Sequence, residues 1–148
     1  MTRSAIDTSL EYFGSGYNCA QSVLKSVLED KGLMFDEAVH VAAGLGGGIC
    51  GEGLTCGAAS GGVLAIGVLN GQKVSNRGRD KAETYNLSKR FIDRFREEFG
   101  TEVCNGLIGY DITDPAQRKK AQDEGVFEKV CSKVVEGAVR ILLEMFPG

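Results

Sequence analysis

Apolar positions recur at three- and four-residue spacings along most of the chain, the mark of amphipathic helices. Ile6, Leu10 and Phe13 define a short first helix, stopped by Gly14-Ser15-Gly16. Asn18 caps a second helix, which buries Val23, Leu24, Val27 and Leu28 and ends at Gly32. Asp36 opens a third through Val39, Ala42 and Ala43. An irregular loop over 44–54 follows, and then a central helix starts near Cys56, with Thr55 as N-cap, and runs to Asn70-Gly71. A long helix is predicted over 79–99, with Tyr85, Ser88, Phe91, Ile92, Phe95 and Phe99 on its buried stripe and Gly100 as its stop. Its other face carries Arg90, Asp93, Arg94, Glu97 and Glu98, an ordinary solvated surface. Asp114-Pro115 reads as the start of a small polar helix, and the last helix spans 126–145, burying Val130, Val134, Ala138, Ile141, Leu142 and Met145. Only two prolines occur, and no alternating β-branched run reaches five residues. The expected class is all-α: a compact helical bundle with a central glycine-rich loop and helix, residues 1–148 forming one domain.

Glycine density changes this picture at one place. Eleven of the 29 residues over 43–71 are glycine, which costs backbone entropy and is expected only where φ is positive or where something approaches the main chain closely. Gly57, Gly61 and Ala65 recur every fourth residue, giving the central helix a smooth face for a closely packed neighbour. Its apolar run, Val63 to Leu69, is far too short to span a bilayer, so a buried helix is expected and no membrane insertion. A net charge of −3 argues against nucleic acid as the main partner. The start, MTRSAIDTSLEYFG, has no apolar stretch of a secretory signal, so a cytoplasmic location is expected. In that compartment five cysteines point to metal or redox chemistry before a disulfide framework.

Cys19, Cys56 and Cys131 each fall at or near a predicted helix start, where the macrodipole and free N–H groups favour thiolate. Cys104 follows the long helix in the turn-rich piece CNGLIGYDITD. Against this stands the plain reading of a buried cysteine as a small hydrophobe. There is no CxxC, which excludes the thioredoxin motif and weakens a zinc-finger reading, and no CxxCH, so no c-type haem can attach. The single histidine, His40, is read as an edge residue and not as a cysteine's base. Gly44–Gly48 lacks the lysine and the preceding strand of a phosphate loop. Glu52 is read as a solvated loop residue.

The segment CGAASG, Cys56 to Gly61, resembles the central motif of the C_GCAxxG_C_C family, whose members are described as redox-active. GYNCAQSVL, Gly16 to Leu24, resembles the family's first-cysteine segment, and the AAGLGGGI stretch, Cys104 and Cys131 follow in order. The resemblance implies a small helical protein serving a redox partner protein or oxidoreductase, with Cys19, Cys56, Cys104 and Cys131 as the functional thiols. Cys50 has no counterpart in the pattern and is read as an auxiliary thiol, a disulfide partner for Cys56, or a small residue in a tight loop. Three readings stay open. The four cysteines ligate an iron–sulfur cluster, [2Fe–2S], whose ligand count they match, in an electron-transfer protein. Alternatively they carry out thiol–disulfide exchange without a cofactor, Cys56 attacking and Cys19 or Cys50 resolving. The third is a structural four-cysteine zinc site in a binding module.

Overall fold

Polar caps start the first two helices. Ser4 Oγ accepts the Asp7 N–H at 3.1 Å at the head of α1, Ala5–Gly14. Asn18 Oδ1 accepts the Gln21 N–H at 2.9 Å at the head of α2, Cys19–Asp30, and the Gln21 side chain accepts the Asn18 N–H at 3.0 Å. This reciprocal capping box fixes Cys19 as the first residue of its helix. Gly32, at φ +69°, closes the α2 end as the sequence suggests. The computed structural model describes residues 4–148.

The remaining helices are α3 (Ala38–Val41), α4 (Gly57–Gly71), α5 (Arg77–Phe99), α6 (Cys104–Ile108), α7 (Pro115–Asp123) and α8 (Ser132–Met145). A 3₁₀ turn, Ala43–Leu45, follows α3, and a π turn, Phe127–Cys131, leads into α8. Among the described residues there is no strand, only an isolated antiparallel bridge between Thr55 and Val103. No described helix is long and apolar enough to cross a membrane. The fold class is all-α, as expected.

α2 and α4 form the centre, and α1, α5 and α8 pack around them. Val23, Leu24, Val27 and Leu28 of α2 are fully buried, as are Ala58, Ala59, Ala65 and Ile66 of α4. Phe91 and Phe95 of α5 enter the same core with Val135, Ala138 and Leu142 of α8. Glycine determines how closely these helices approach. A Cβ on Gly61 would lie 2.6 Å from the Ala20 carbonyl oxygen and 2.8 Å from its Cα, so α2 backbone occupies the space a side chain would need. On Gly62 it would meet the Phe91 ring at 2.4 Å. Gly67 faces open space in the same helix. Gly67→Ala is therefore expected to stabilise the protein by about 0.5–1 kcal/mol through helix propensity alone, read as a shift in the denaturant midpoint.

Four expectations are corrected. α3 is only four residues long, because neither Asp36 nor Glu37 caps it with a side chain and the chain tightens into the 3₁₀ turn at Ala43. Thr55 is held extended by its bridge to Val103, so Cys56 and not Thr55 is the N-cap of α4. Tyr85 is 66% exposed: α5 begins at Arg77, and its first turns project past the core that receives Phe91. The charged face of α5 is more than solvated surface, since Arg94 pairs with Glu144 and Glu98 with Arg140, linking α5 to α8. Val130 and Met145 are half-buried beside the fully buried Ile141 and Leu142.

Candidate functional site: a cavity bearing four cysteines

The loop before α4 folds by left-handed backbone. Gly47, Gly48, Ile49, Cys50 and Gly51 have φ between +47° and +77° in succession, and Gly53 follows at +73°. Three glycines meet this conformation freely, whereas Ile49 and Cys50 are strained in it. The loop closes on itself through Cys50 N–H to the Gly44 carbonyl at 2.8 Å, Gly53 N–H to Gly47 at 3.0 Å and Leu54 N–H to Gly48 at 2.8 Å. Close approach is a second requirement at two of these glycines. A Cβ on Gly48 would fall 2.6 Å from the Cys104 Cβ, and one on Gly53 would fall 2.2 Å from the Asn105 side chain. The segment that follows is anchored as well: Cys56 N–H donates to the Glu102 carbonyl at 2.7 Å, and Cys104 N–H to the Leu54 carbonyl at 2.5 Å. Arg96 clamps Glu102 through two hydrogen bonds at 2.7 and 2.9 Å, holding that carboxyl down at about 2. Cys56 and Cys104 thus enter the site from one short stretch of paired backbone.

Between this loop, the start of α2 and the approach to α8 lies a cavity of about 210 Å³. Cys19, Cys56, Cys104 and Cys131 all line it, together with Phe13, Ile112, Phe127 and Val134. The four cysteines singled out in the sequence therefore converge. Cys50 does not join them: it is exposed on the left-handed loop and forms no disulfide with Cys56. Of its three readings, a small residue in a tight loop is the one its position supports. His40 and Glu52 are both exposed and line no part of the cavity.

The thiols differ in acidity. The Cys56 thiol donates to Cys19 Sγ, which outweighs burial and brings Cys19 down to about 7. N–H groups of Gly47 and Gly57 add to the effect, and Cys19 heads a twelve-residue helix. Gly57 leaves the room for this: its Cβ would sit 3.2 Å from Cys19 Sγ. Cys56 moves upward, because its proton is engaged by Cys19 and it is buried beside that charge. Burial, and then the Cys19 charge, push Cys104 up to about 11. Burial likewise leads in pushing Cys131 up to about 12, followed by the charges of Cys19, Cys104 and Glu128. The expectation of thiolates at Cys19, Cys56 and Cys131 holds for Cys19 alone. Two of the three sit at helix starts as expected, but they share one negative charge. Cys131 closes the π turn inside a continuous helical run, so no free N–H groups face it as they would at a helix start. Cys104, read as part of a turn-rich piece, opens the five-residue α6.

Four thiols are the right kind and number of donors for an iron–sulfur cluster. As arranged here, however, no group of three cysteine, histidine or carboxylate side chains among the described residues is placed to hold a metal ion. All four cysteines line the one cavity, with Cys56 acting most strongly on Cys19.

Sequence reasoning did not single out Arg118 of α7, the one charged residue on the cavity lining. Its position inside a short polar helix gave no signal, because an arginine there reads as surface.

Comparison with curated proteins and with solved structures gives no match. A family model does match, over residues 17–145, and its description is "Putative redox-active protein (C_GCAxxG_C_C)". That span holds all four cavity cysteines and the whole glycine-rich segment between the first two, so the chain belongs to the C_GCAxxG_C_C family.

Proposed function

We propose that the protein is a two-electron thiol–disulfide redox protein of the cytoplasm, serving a redox partner protein, with Cys19 as the attacking thiolate and Cys56 as the resolving thiol. The observation that carries this reading is the seating of Cys19 Sγ against the head of α4, 3.2 Å from where a Gly57 Cβ would stand, with the neighbouring Cys56 thiol the largest cause of its lowered pKa. Cys19 Sγ attacks a sulfur of a disulfide; the new Cys19–substrate bond forms and one substrate thiolate departs. Cys56 then gives its proton to that leaving sulfur and attacks Cys19 Sγ. The second substrate half leaves as a thiolate, and a Cys19–Cys56 disulfide remains. Two electrons pass from the protein to the substrate, and a partner dithiol returns them. The roles invert the order expected from the sequence, in which Cys56 attacks.

Two measurements test this. Alkylation of reduced protein by iodoacetamide should rise with pH to a half-maximum near 7, and the rise should vanish in Cys19→Ser. In Cys56→Ala the half-maximum should move up, since the largest acidifying contact is lost, whereas Cys56→Ser keeps a donor and should stay near the original value. Treatment with excess disulfide should consume two thiols and yield a mapped Cys19–Cys56 bridge. A half-maximum in the ordinary thiol range near 8.5, or a bridge elsewhere, would overturn the assignment.

One observation favours a second reading, ligation of [2Fe–2S]: four cysteines reach one cavity and the fifth stays outside. That reading requires Cys104 and Cys131 to close with Cys19 and Cys56 on a common centre. Iron and sulfide at two equivalents each in anaerobically purified protein, lost together in Cys104→Ser and Cys131→Ser, would establish it in place of the dithiol.

A further inference from the structure

The cavity is chemically lopsided. Among the described residues its wall is largely apolar, from Phe13, Leu107, Ile112, Phe127 and Val134, with the four cysteines and Arg118 as the one charged residue and no carboxylate. The Arg118 guanidinium forms no ion pair or hydrogen bond among the described residues, which it shares with Arg77 and Arg90, but of the three only Arg118 lines the cavity. The left-handed loop connects the two ends. Gly47, whose N–H donates to Cys19, packs so closely on Gly51 that its Cβ would meet the Gly51 Cα at 2.9 Å. On the far side, a Cβ on Gly51 would lie 3.9 Å from Arg118 Nη1. Glycine thus keeps the floor between Cys19 and Arg118 bare. Arg118 is itself exposed, and a guanidinium on a cavity lining that carries no acid among the described residues is matched by a carboxylate, which it can bind through two parallel N–H bonds.

We propose that this cavity binds small disulfides that carry a carboxylate, the sulfur at Cys19 and the carboxylate on Arg118. The ligand is smaller than drug-sized, since such ligands occupy about 300–1,000 Å³ and this space is about 210 Å³. The sulfur chemistry is that of the exchange step above and rests on that reading, while the anion site does not depend on it. Cys19 Sγ displaces one half of the disulfide, and the carboxylate of the retained half stays on Arg118. Cys56, its proton having gone to the first leaving sulfur, then attacks Cys19 Sγ and releases that half as a thiolate.

The test compares dithiodipropionate, hydroxyethyl disulfide and cystamine, which are anionic, neutral and cationic disulfides of similar length. Rates of mixed-disulfide formation at Cys19, read by mass spectrometry, should fall in that order, with roughly tenfold between the first two, as expected for one charge-assisted contact. Arg118→Gln should remove the preference for the anion, so that the three rates converge, and Arg118→Lys should restore it in part. Suberate, a dicarboxylate of matching length that cannot exchange, should protect Cys19 from iodoacetamide in the native protein but not in Arg118→Gln. Equal rates for the three disulfides without suberate protection would overturn the proposal and leave the dithiol reading intact. Suberate protection that depends on Arg118, with no disulfide reacting, would establish the anion site and overturn the exchange chemistry instead.

Discussion

Gly61→Leu lowers the thermal midpoint, although leucine is the better helix former. The propensity gain is under about 1 kcal/mol, whereas overpacking a filled interior costs about 1–3 kcal/mol. Here the cost falls at the upper end, because the atoms in the way are the backbone of Ala20, 2.6–3.1 Å from where the Cβ would stand. A side chain can change rotamer, but a helix backbone moves only as a body. At roughly 2–4 °C per kcal/mol for a chain of this size, the loss is several degrees. The displacement also reaches the chemistry, because Ala20 follows Cys19 at the head of α2. Moving α2 away from α4 separates Cys19 from the Cys56 thiol and the Gly57 N–H, so the variant's alkylation half-maximum should rise above 7. A midpoint that increases, with the alkylation profile unchanged, would mean that this helix face is not packed as described.

Cys19→Ser should slow exchange with a small disulfide at neutral pH by roughly 50–100-fold. At pH 7 about half of Cys19 is thiolate. The next most acidic thiol on the cavity wall, Cys104 at about 11, is ionised to about one part in 10⁴. Its greater basicity returns roughly 60-fold in nucleophilicity at a Brønsted slope of ~0.45, which offsets about half of the deficit on a logarithmic scale. Cys56→Ser should behave differently: the first attack proceeds near the native rate, but the mixed disulfide persists because nothing resolves it. Cys50→Ser should change neither step, since Cys50 is exposed and lies off the cavity. Stopped-flow thiol release together with intact-mass analysis separates the three outcomes. Equal loss in Cys50→Ser and Cys19→Ser, with native circular dichroism, would contradict the roles assigned.

The parts of this fold legible in the sequence are those whose signal is local. Asn18 with Gln21, Gly32, Gly100 and Asp114-Pro115 each carry their own capping chemistry, and each bounds a helix where the sequence places it. Convergence of Cys19, Cys56, Cys104 and Cys131 could be anticipated from the motif, and the glycine face from its four-residue spacing. What failed depends on partners distant in sequence. Thr55 has a good N-cap side chain, but pairing with Val103 holds it outside the helix. The brief α6 contains a glycine in its five residues and is held by backbone bonds to Gly53 and Leu54, which no periodicity reveals. The π turn before α8 adds a residue without disturbing the apolar pattern, so Cys131 looks like a helix start and is not one. The division of labour between Cys19 and Cys56 was the least legible feature. Both head helices, and only their mutual hydrogen bond decides which thiol holds the charge.

The run from Gly47 to Gly51 amounts to about one turn of backbone with the handedness of a D-peptide, built into a chain of L-residues. Side-chain chemistry is nearly irrelevant to such a segment; chirality governs what it accepts. At Cys50 the L-configuration is the strained one, so a semisynthetic protein with D-alanine at that position should be more stable than its L-alanine counterpart. The usual ranking, in which a single D-residue inside a folded L-protein is damaging, would be reversed at this one turn. The exposed turn at Cys50, off the cavity wall, is thus a place where a mirror-image residue could be introduced away from the thiols that line the cavity.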